Sequence, residues 1–262
     1  MRPPPLRAAD FFFTPQTHRI GSEVMTVKRC HALPLLLLLT LLGLLLCKDR
    51  TAAVSAAAGA PCIALTFDDG PSPQTTEALL DGLKERGAHA TFFLIGEQIA
   101  GNEALVQRMK EEGHQVGNHS FTHVRLDAAG DRELAEIAET DAALRGLLGS
   151  GSYWIRPPWG FSSDALKQSV SVPLIFWTVD TMDWSVRSRD LVAHCIVQNA
   201  KDGDIVLLHD PYQTSVDAAL QAIDTLSAQG YAFVTLEELF ARAGVSPEEG
   251  HFYLRADTEV AW

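Results

Sequence analysis

From about residue 61 the chain alternates short β-rich runs with amphipathic stretches, and no other feature narrows its possible folds so far. The β-rich runs are 62–67, 90–95, 115–118, 153–155, 174–178, 205–208 and 232–234. Between them lie helix candidates at 73–86, opened by Ser72 as an N-cap, then 102–112, 131–148, 163–169, 189–200, 216–228 and 236–243. Gly87, Gly113, Gly149 and Gly230 stand where helices should stop. Strand–helix alternation predicts an α/β fold: a parallel sheet with right-handed crossovers. The seven units between residues 61 and 243 suit a small, incomplete β/α barrel, with an open doubly wound sheet as the alternative. No glycine-rich phosphate motif follows any run, so nucleotide binding has no support. The tail 244–262 is polar and reads as an edge strand or a loose end.

The front of the chain has a different character. Residues 33–47 are nearly pure leucine, preceded by Lys28 and Arg29 and followed by small residues from Thr51 to Ala60. That pattern predicts a signal peptide over 25–60, or a membrane anchor if it is not cleaved. It places the protein outside the cytoplasm, secreted or held at the wall. Residues 1–24 read as a non-native or unstructured leader, and Met25 opens a signal of ordinary length. Only Cys62 and Cys195 lie beyond the leader, and two free buried thiols are expected.

Residues 60–262 hold 14 Lys/Arg and 30 Asp/Glu, a formal net charge of −16 against −12 for the whole chain. A domain that acidic is a poor electrostatic partner for nucleic acid or anionic lipid. Membrane contact is expected only through the N-terminal segment, and the domain reads as a monomer.

In a parallel barrel the C-terminal ends of the strands share one mouth. Here those ends carry Asp68-Asp69-Gly70, His119 through His123, Arg156 through Gly160, Asp180 through Trp184, and His209-Asp210. Adjacent carboxylates repel unless a cation separates their roles, although Asp-Gly is also an ordinary turn. His119 and His123 are spaced i,i+4; on a helical turn both imidazoles would share a face and could reach one ion. One Asp and two His form an open metal set with a vacancy for water. His89 and His114 fall at the opposite rim and His194 on a helix, so these three read as structural or surface residues.

At these residues the chain resembles the polysaccharide deacetylases of carbohydrate esterase family 4, the NodB-homology domain. TFDDG (66–70), HSFTH (119–123), RPPWG (156–160), DTMDW (180–184) and LLH (207–209) occur in that family's order, within 61–243. The resemblance implies a distorted (β/α)7 barrel and one divalent metal ion, zinc by preference, with Co²⁺, Mn²⁺ or Ni²⁺ able to use the same ligands. It implies that Asp69, His119 and His123 hold the ion, Asp68 is the general base, and His209 is the general acid. Arg156 would pair with Asp68, and Asp183 or Asp180 would orient His209. Trp159 would offer a backbone N–H to the oxyanion. Trp184, Leu207 or Leu208, and Pro158 would line the substrate groove. The family usually has Tyr where this chain has Trp159, which puts substrate preference rather than activity in question.

The implied reaction is hydrolysis of N-acetyl groups on GlcNAc-type polysaccharide such as peptidoglycan or chitin-like oligosaccharide. An O-acetyl xylan esterase is the alternative within the family. An inactive sugar-binding module is the alternative outside enzymology, opposed by the presence of every motif residue.

Overall fold

The computed structural model describes residues 59–259, together with the two-residue stretches 19–20, 23–24 and 28–29. The leucine run 33–47 lies outside the described residues. No helix among the described residues is long and apolar enough to cross a membrane.

The architecture is built on β1 (Cys62–Gly70), a strand buried on both faces, which is why it reads as one apolar run. Its side chains alternate. Ile63, Leu65 and Phe67 join the core beneath the helices, while Cys62 and Ala64 face a second core. The parallel strands that follow are β2 (Thr91–Leu94), β3 (Gln115–Asn118), β4 (Leu174–Ile175), β5 (Val179–Asp180), β6 (Ile205–His209) and β7 (Ala232–Phe233). β1 pairs with β2 and with β6, β2 with β3, and β5 with β6. Single parallel bridges through Ile155 connect Asn118 of β3 to Leu174 of β4. The stretch 174–180 thus meets Ile155 at one end and β6 at the other, and the ring closes. The closed ring decides for a distorted barrel over the open sheet. Its weakest stave is a single residue, and β7 joins only the first two residues of β1.

The outer layer comprises α1 (Thr76–Glu85), α2 (Gly96–Ile99), α3 (Glu103–Glu111), α4 (Asp131–Leu148), α5 (Asp164–Ser169), α6 (Asp183–Val186), α7 (Arg189–Asn199), α8 (Gln213–Ser227) and α9 (Leu236–Ala243). Helix α1 shows how they attach: Leu79, Leu80 and Leu83 are fully buried, each contributing about 1.5–3 kcal/mol by burial. Helix α9 begins in a capping box between Thr235 and Glu238.

The structure corrects several expectations. The run 153–155 supplies a bridge rather than a strand, and 174–178 breaks into two short pieces. Ser72 does not cap α1: its hydroxyl bonds Gln74 at 3.1 Å, and the helix starts only at Thr76. The tail is an edge strand rather than loose. β8 (Phe252–Arg255) runs parallel to β4, with Phe252 and Tyr253 buried, and β9 (Thr258–Glu259) returns against it. The fold therefore extends past residue 243. Cys62 is a free buried thiol, but Cys195 is disulfide-bonded, with its partner outside the described residues. The expectation of two free thiols weighed only the cysteines downstream of the leader.

Candidate metal centre and catalytic cleft

Strand parity places the first two functional groups. Ala64, Thr66 and Asp68 share one face of β1, and Ile205, Leu207 and His209 share one face of β6. Asp68 lies directly opposite His209 in the parallel register. Asp69 should then point the other way. Instead its φ is +70°, and the register with β2 shifts between Asp68 and Gly70. This break in the pleat lets both carboxylates reach the same mouth. A Cβ at Gly70 would press on the buried Asp210 carboxylate, so a larger residue there would force that side chain to shift.

The His119–His123 turn is not the helical turn on which i,i+4 spacing would align two side chains. Ser120 and His123 adopt φ of +64° and +58°. Asn118 Oδ1 accepts from Ser120 N at 2.9 Å. The buried Glu136 carboxylate of α4 accepts from Phe121 N, Thr122 N and the Thr122 hydroxyl at 3.0, 2.6 and 2.7 Å. Both imidazoles nevertheless converge, with ring centroids 5.0 Å apart. His119 Nε2 and His123 Nε2 lie 3.5 and 3.3 Å from Asp69 Oδ1. One donor atom each from Asp69, His119 and His123 falls within 4.8 Å of the others.

This donor set fits a divalent ion on three further counts. Asp69 Oδ1 is buried without a hydrogen-bond partner. Burial pushes both histidines below their ordinary pKa, toward the neutral form that ligates. The Arg156 carbonyl takes the His119 Nδ1–H at 2.7 Å, leaving the Nε2 lone pair facing Asp69.

Two buried ion pairs flank the triad. Arg156, fully buried, donates to Asp68 Oδ1 at 2.8 Å and to Thr66 Oγ1 at 2.6 Å. Its remaining donors meet the Ile175 and Phe176 carbonyls, and the guanidinium stands 4.3 Å from the Phe93 ring centre. On the other side, Asp183 accepts from His209 Nδ1 and from His209 N, each at 2.8 Å. Burial opposes charge on His209, but the Asp183 carboxylate outweighs it and lifts the pKa to about 9. Asp183 rather than Asp180 holds the histidine, because Asp180 Oδ1 accepts from Met182 N at 3.0 Å.

These groups floor a cleft of about 390 Å³. Trp159, Trp184 and Leu207 line it as expected, together with Pro157, Phe161, Trp177 and Tyr212. Pro158 is buried and lies off the lining, and Leu208 belongs to the helix-side core. Trp159, at φ +62°, is 61% exposed, with its ring 4.9 Å from that of His123. Asp69, His123, Trp159 and Met182 all line the cleft with left-handed backbone, so conformational strain gathers at this mouth. A larger hollow of about 540 Å³ lies at the opposite rim. Of its charged groups, His89 meets Glu238, Arg86 meets Asp224, and Arg242 donates to the Ala60 carbonyl.

Sequence reasoning missed Glu136, Thr66, Tyr212 and Trp177. Glu136 alone left a usable signal: with Thr140 and Leu144 it falls on the buried stripe of α4, where a carboxylate needs a reason.

Comparison with known proteins bears on this geometry. The polysaccharide deacetylase family profile matches residues 55–172. A peptidoglycan-N-acetylglucosamine deacetylase of Bacillus cereus is 36% identical over 185 residues, covering 68% of this chain and 87% of the relative. The chain belongs to the polysaccharide deacetylase family. Another relative within that family is the peptidoglycan-N-acetylglucosamine deacetylase PgdA of Listeria monocytogenes, 40% identical over 179 residues. That match covers 68% of this chain but only 38% of PgdA, so the chain spans well under half of that relative's length. A family 4 acetyl xylan esterase from Clostridium thermocellum, solved in complex with a cobalt ion, superposes with a TM-score of 0.70 at 31% identity. It covers 74% of this chain and 98% of that one.

Proposed function

We propose that this domain hydrolyses N-acetyl groups on a GlcNAc-type polysaccharide, peptidoglycan foremost, with the help of one divalent ion. The observation that carries the reading is the converging Asp69–His119–His123 donor set, set between an Arg156-held carboxylate and an Asp183-held imidazole. The B. cereus and L. monocytogenes relatives, both named for peptidoglycan N-acetylglucosamine, support the substrate class.

Amide hydrolysis sets three tasks: activating water, stabilising the oxyanion and protonating the amine. An ion bound by Asp69, His119 and His123 would polarise the acetyl carbonyl and acidify water. Zinc suits this ligand set, and the cobalt ion in the solved acetyl xylan esterase supports a divalent metal of this kind. Asp68 takes the water's proton. Its Oδ1 is committed to Arg156, which keeps the carboxylate aside from the ion and oriented toward the cleft. The Trp159 backbone N–H assists at the oxyanion, a contribution of about 3 kcal/mol where such donors have been removed. His209, made cationic by Asp183, delivers a proton to the departing amine. Trp159, Trp184 and Leu207 shape the groove for the acetyl methyl and the sugar.

A wall substrate is in keeping with the sequence expectation of export through residues 25–60. The decisive experiment measures acetate release by metal-replete protein from peptidoglycan, chitooligosaccharide and acetylxylan. Release from the first, or from the first two, is expected. Release from acetylxylan alone would replace the amidase reading with O-acetyl esterase, and release from none would end it.

A further inference from the structure

Two arginines stack on rings of the cleft lining, and the two are in different electrostatic states. Arg125 stacks 3.6 Å over the ring of Phe161, but Asp127 neutralises it at 2.6 Å. Arg187 stacks 3.3 Å over the ring of Tyr212, and among the described residues no carboxylate pairs with it. Both rings belong to the cleft lining. Two contacts fix the Arg187 guanidinium: the Tyr212 face and the Trp184 carbonyl, which accepts from Nε at 2.6 Å. The residue itself is exposed and sits at a φ of +48°, an unfavourable backbone for arginine. A side chain with this much rotamer freedom is normally mobile at a surface. Here it is pinned, with the fork of Nη1 and Nη2 uncommitted. That the fork is unpaired in a region carrying 30 acidic against 14 basic residues is itself informative.

Arginine's planar fork matches a carboxylate with two parallel hydrogen bonds, and stacking on an aromatic ring leaves that fork free. We propose that Arg187 and Tyr212 form a carboxylate-binding subsite at the His209 side of the cleft, so that the favoured glycan bears a carboxylate near its acetamide. This deepens the deacetylase reading and rests on it for location only. In a wall glycan the carboxylate can come from a lactyl ether on the sugar or from an attached peptide. Both present the same chemistry to the arginine.

The test is equilibrium binding of the metal-replete full chain to three probes of equal length. These are a neutral N-acetylglucosamine oligomer, a wall glycan strand stripped of peptide, and the same strand with peptides attached. Wild-type protein should bind at least one carboxylated strand about tenfold more tightly than the neutral oligomer. Arg187→Ala should erase that preference, and Arg187→Lys, which keeps charge without the fork, should restore only part of it. Unaltered thermal melting of both variants would exclude misfolding. Attaching a peptide converts the lactyl carboxyl to an amide. Tight binding of the stripped strand alone therefore assigns the lactyl group, tight binding of the peptide-bearing strand alone assigns the peptide, and tight binding of both assigns a carboxylate from either source. Equal wild-type affinity for all three probes, or a preference that survives Arg187→Ala, overturns the subsite. Acetate release measured in parallel separates the two ideas: binding preference without turnover would keep the subsite and refute the deacetylase reading.

Discussion

At the scale of single residues, the site depends on which protons are held where. Asp68→Asn keeps the shape of the side chain and the Arg156 contact but removes the proton acceptor. The variant should bind zinc normally and lose about 10²–10⁴-fold in kcat; turnover near wild type would remove Asp68 from the base role. His209 gives a pH signature. Its pKa is raised from 6.5 to about 9, so the cation is fully present below 6.5 and disappears as pH rises through about 9. Both the stability gained from the Asp183 pair and the proton donation proposed for His209 follow that sign. The alkaline limb of kcat should fall near pH 9. In Asp183→Asn the strongest raising partner is lost and burial is opposed only by the more distant Asp68 and Asp69, so the limb should move to lower pH. A limb that stays in place would transfer the acid role elsewhere. Much of this was legible in the chain. The alternation of β1 and β6 puts Asp68 and His209 on inward faces without any coordinates. The position of Asp69 was not, because it depends on a left-handed residue and a register shift that no residue type announces.

At the scale of elements, two segments were read correctly for the wrong reason or incorrectly for a good one. The i,i+4 spacing of His119 and His123 suggested a helical turn, yet the two rings meet across an irregular bend held by Glu136 from α4. Spacing constrained their separation, while the geometry came from a residue 13 positions past His123. The run 153–155 has strand composition but contributes one bridged residue, because Ile155 is flanked by β3 and by β4, which is itself two residues long. Helices fared better: the expected bounds 131–148 and 236–243 match α4 and α9, and in α9 a capping box and a strongly amphipathic face agree. The Glu136 clasp can be tested directly. Glu136→Ala removes three hydrogen bonds from the ligand-bearing bend without touching a donor atom. Zinc affinity, measured by chelator competition on the apo protein, should weaken by about 10–100-fold. Glu136→Gln, which retains an acceptor, should recover most of it. Equal affinity in the alanine variant would show that the bend holds itself.

At the scale of the whole molecule, closing the barrel drives carboxylates together at one mouth. Asp68 and Asp69 are adjacent, and Asp183 and Asp180 lie beside the same cleft. Arg156 and His209 compensate two of these charges, while the buried Oδ1 of Asp69 faces His119 and His123 without a hydrogen bond, and burial holds its carboxyl above the usual range. Metal binding at this mouth should therefore appear as stability of the entire barrel. With free zinc at about 1,000 times its dissociation constant, mass action adds about 4 kcal/mol to the folded state. For a barrel of this size that corresponds to a Tm increase of about 8–16 °C. Protons and the ion compete for the same lone pairs on Asp69, His119 and His123, so the zinc-dependent increment should shrink as pH falls. Calorimetry with and without chelator at two pH values measures both. A chelator-insensitive Tm would show that the carboxylates at the mouth need no cation, and with it the physical basis for a metal centre at this site would be lost.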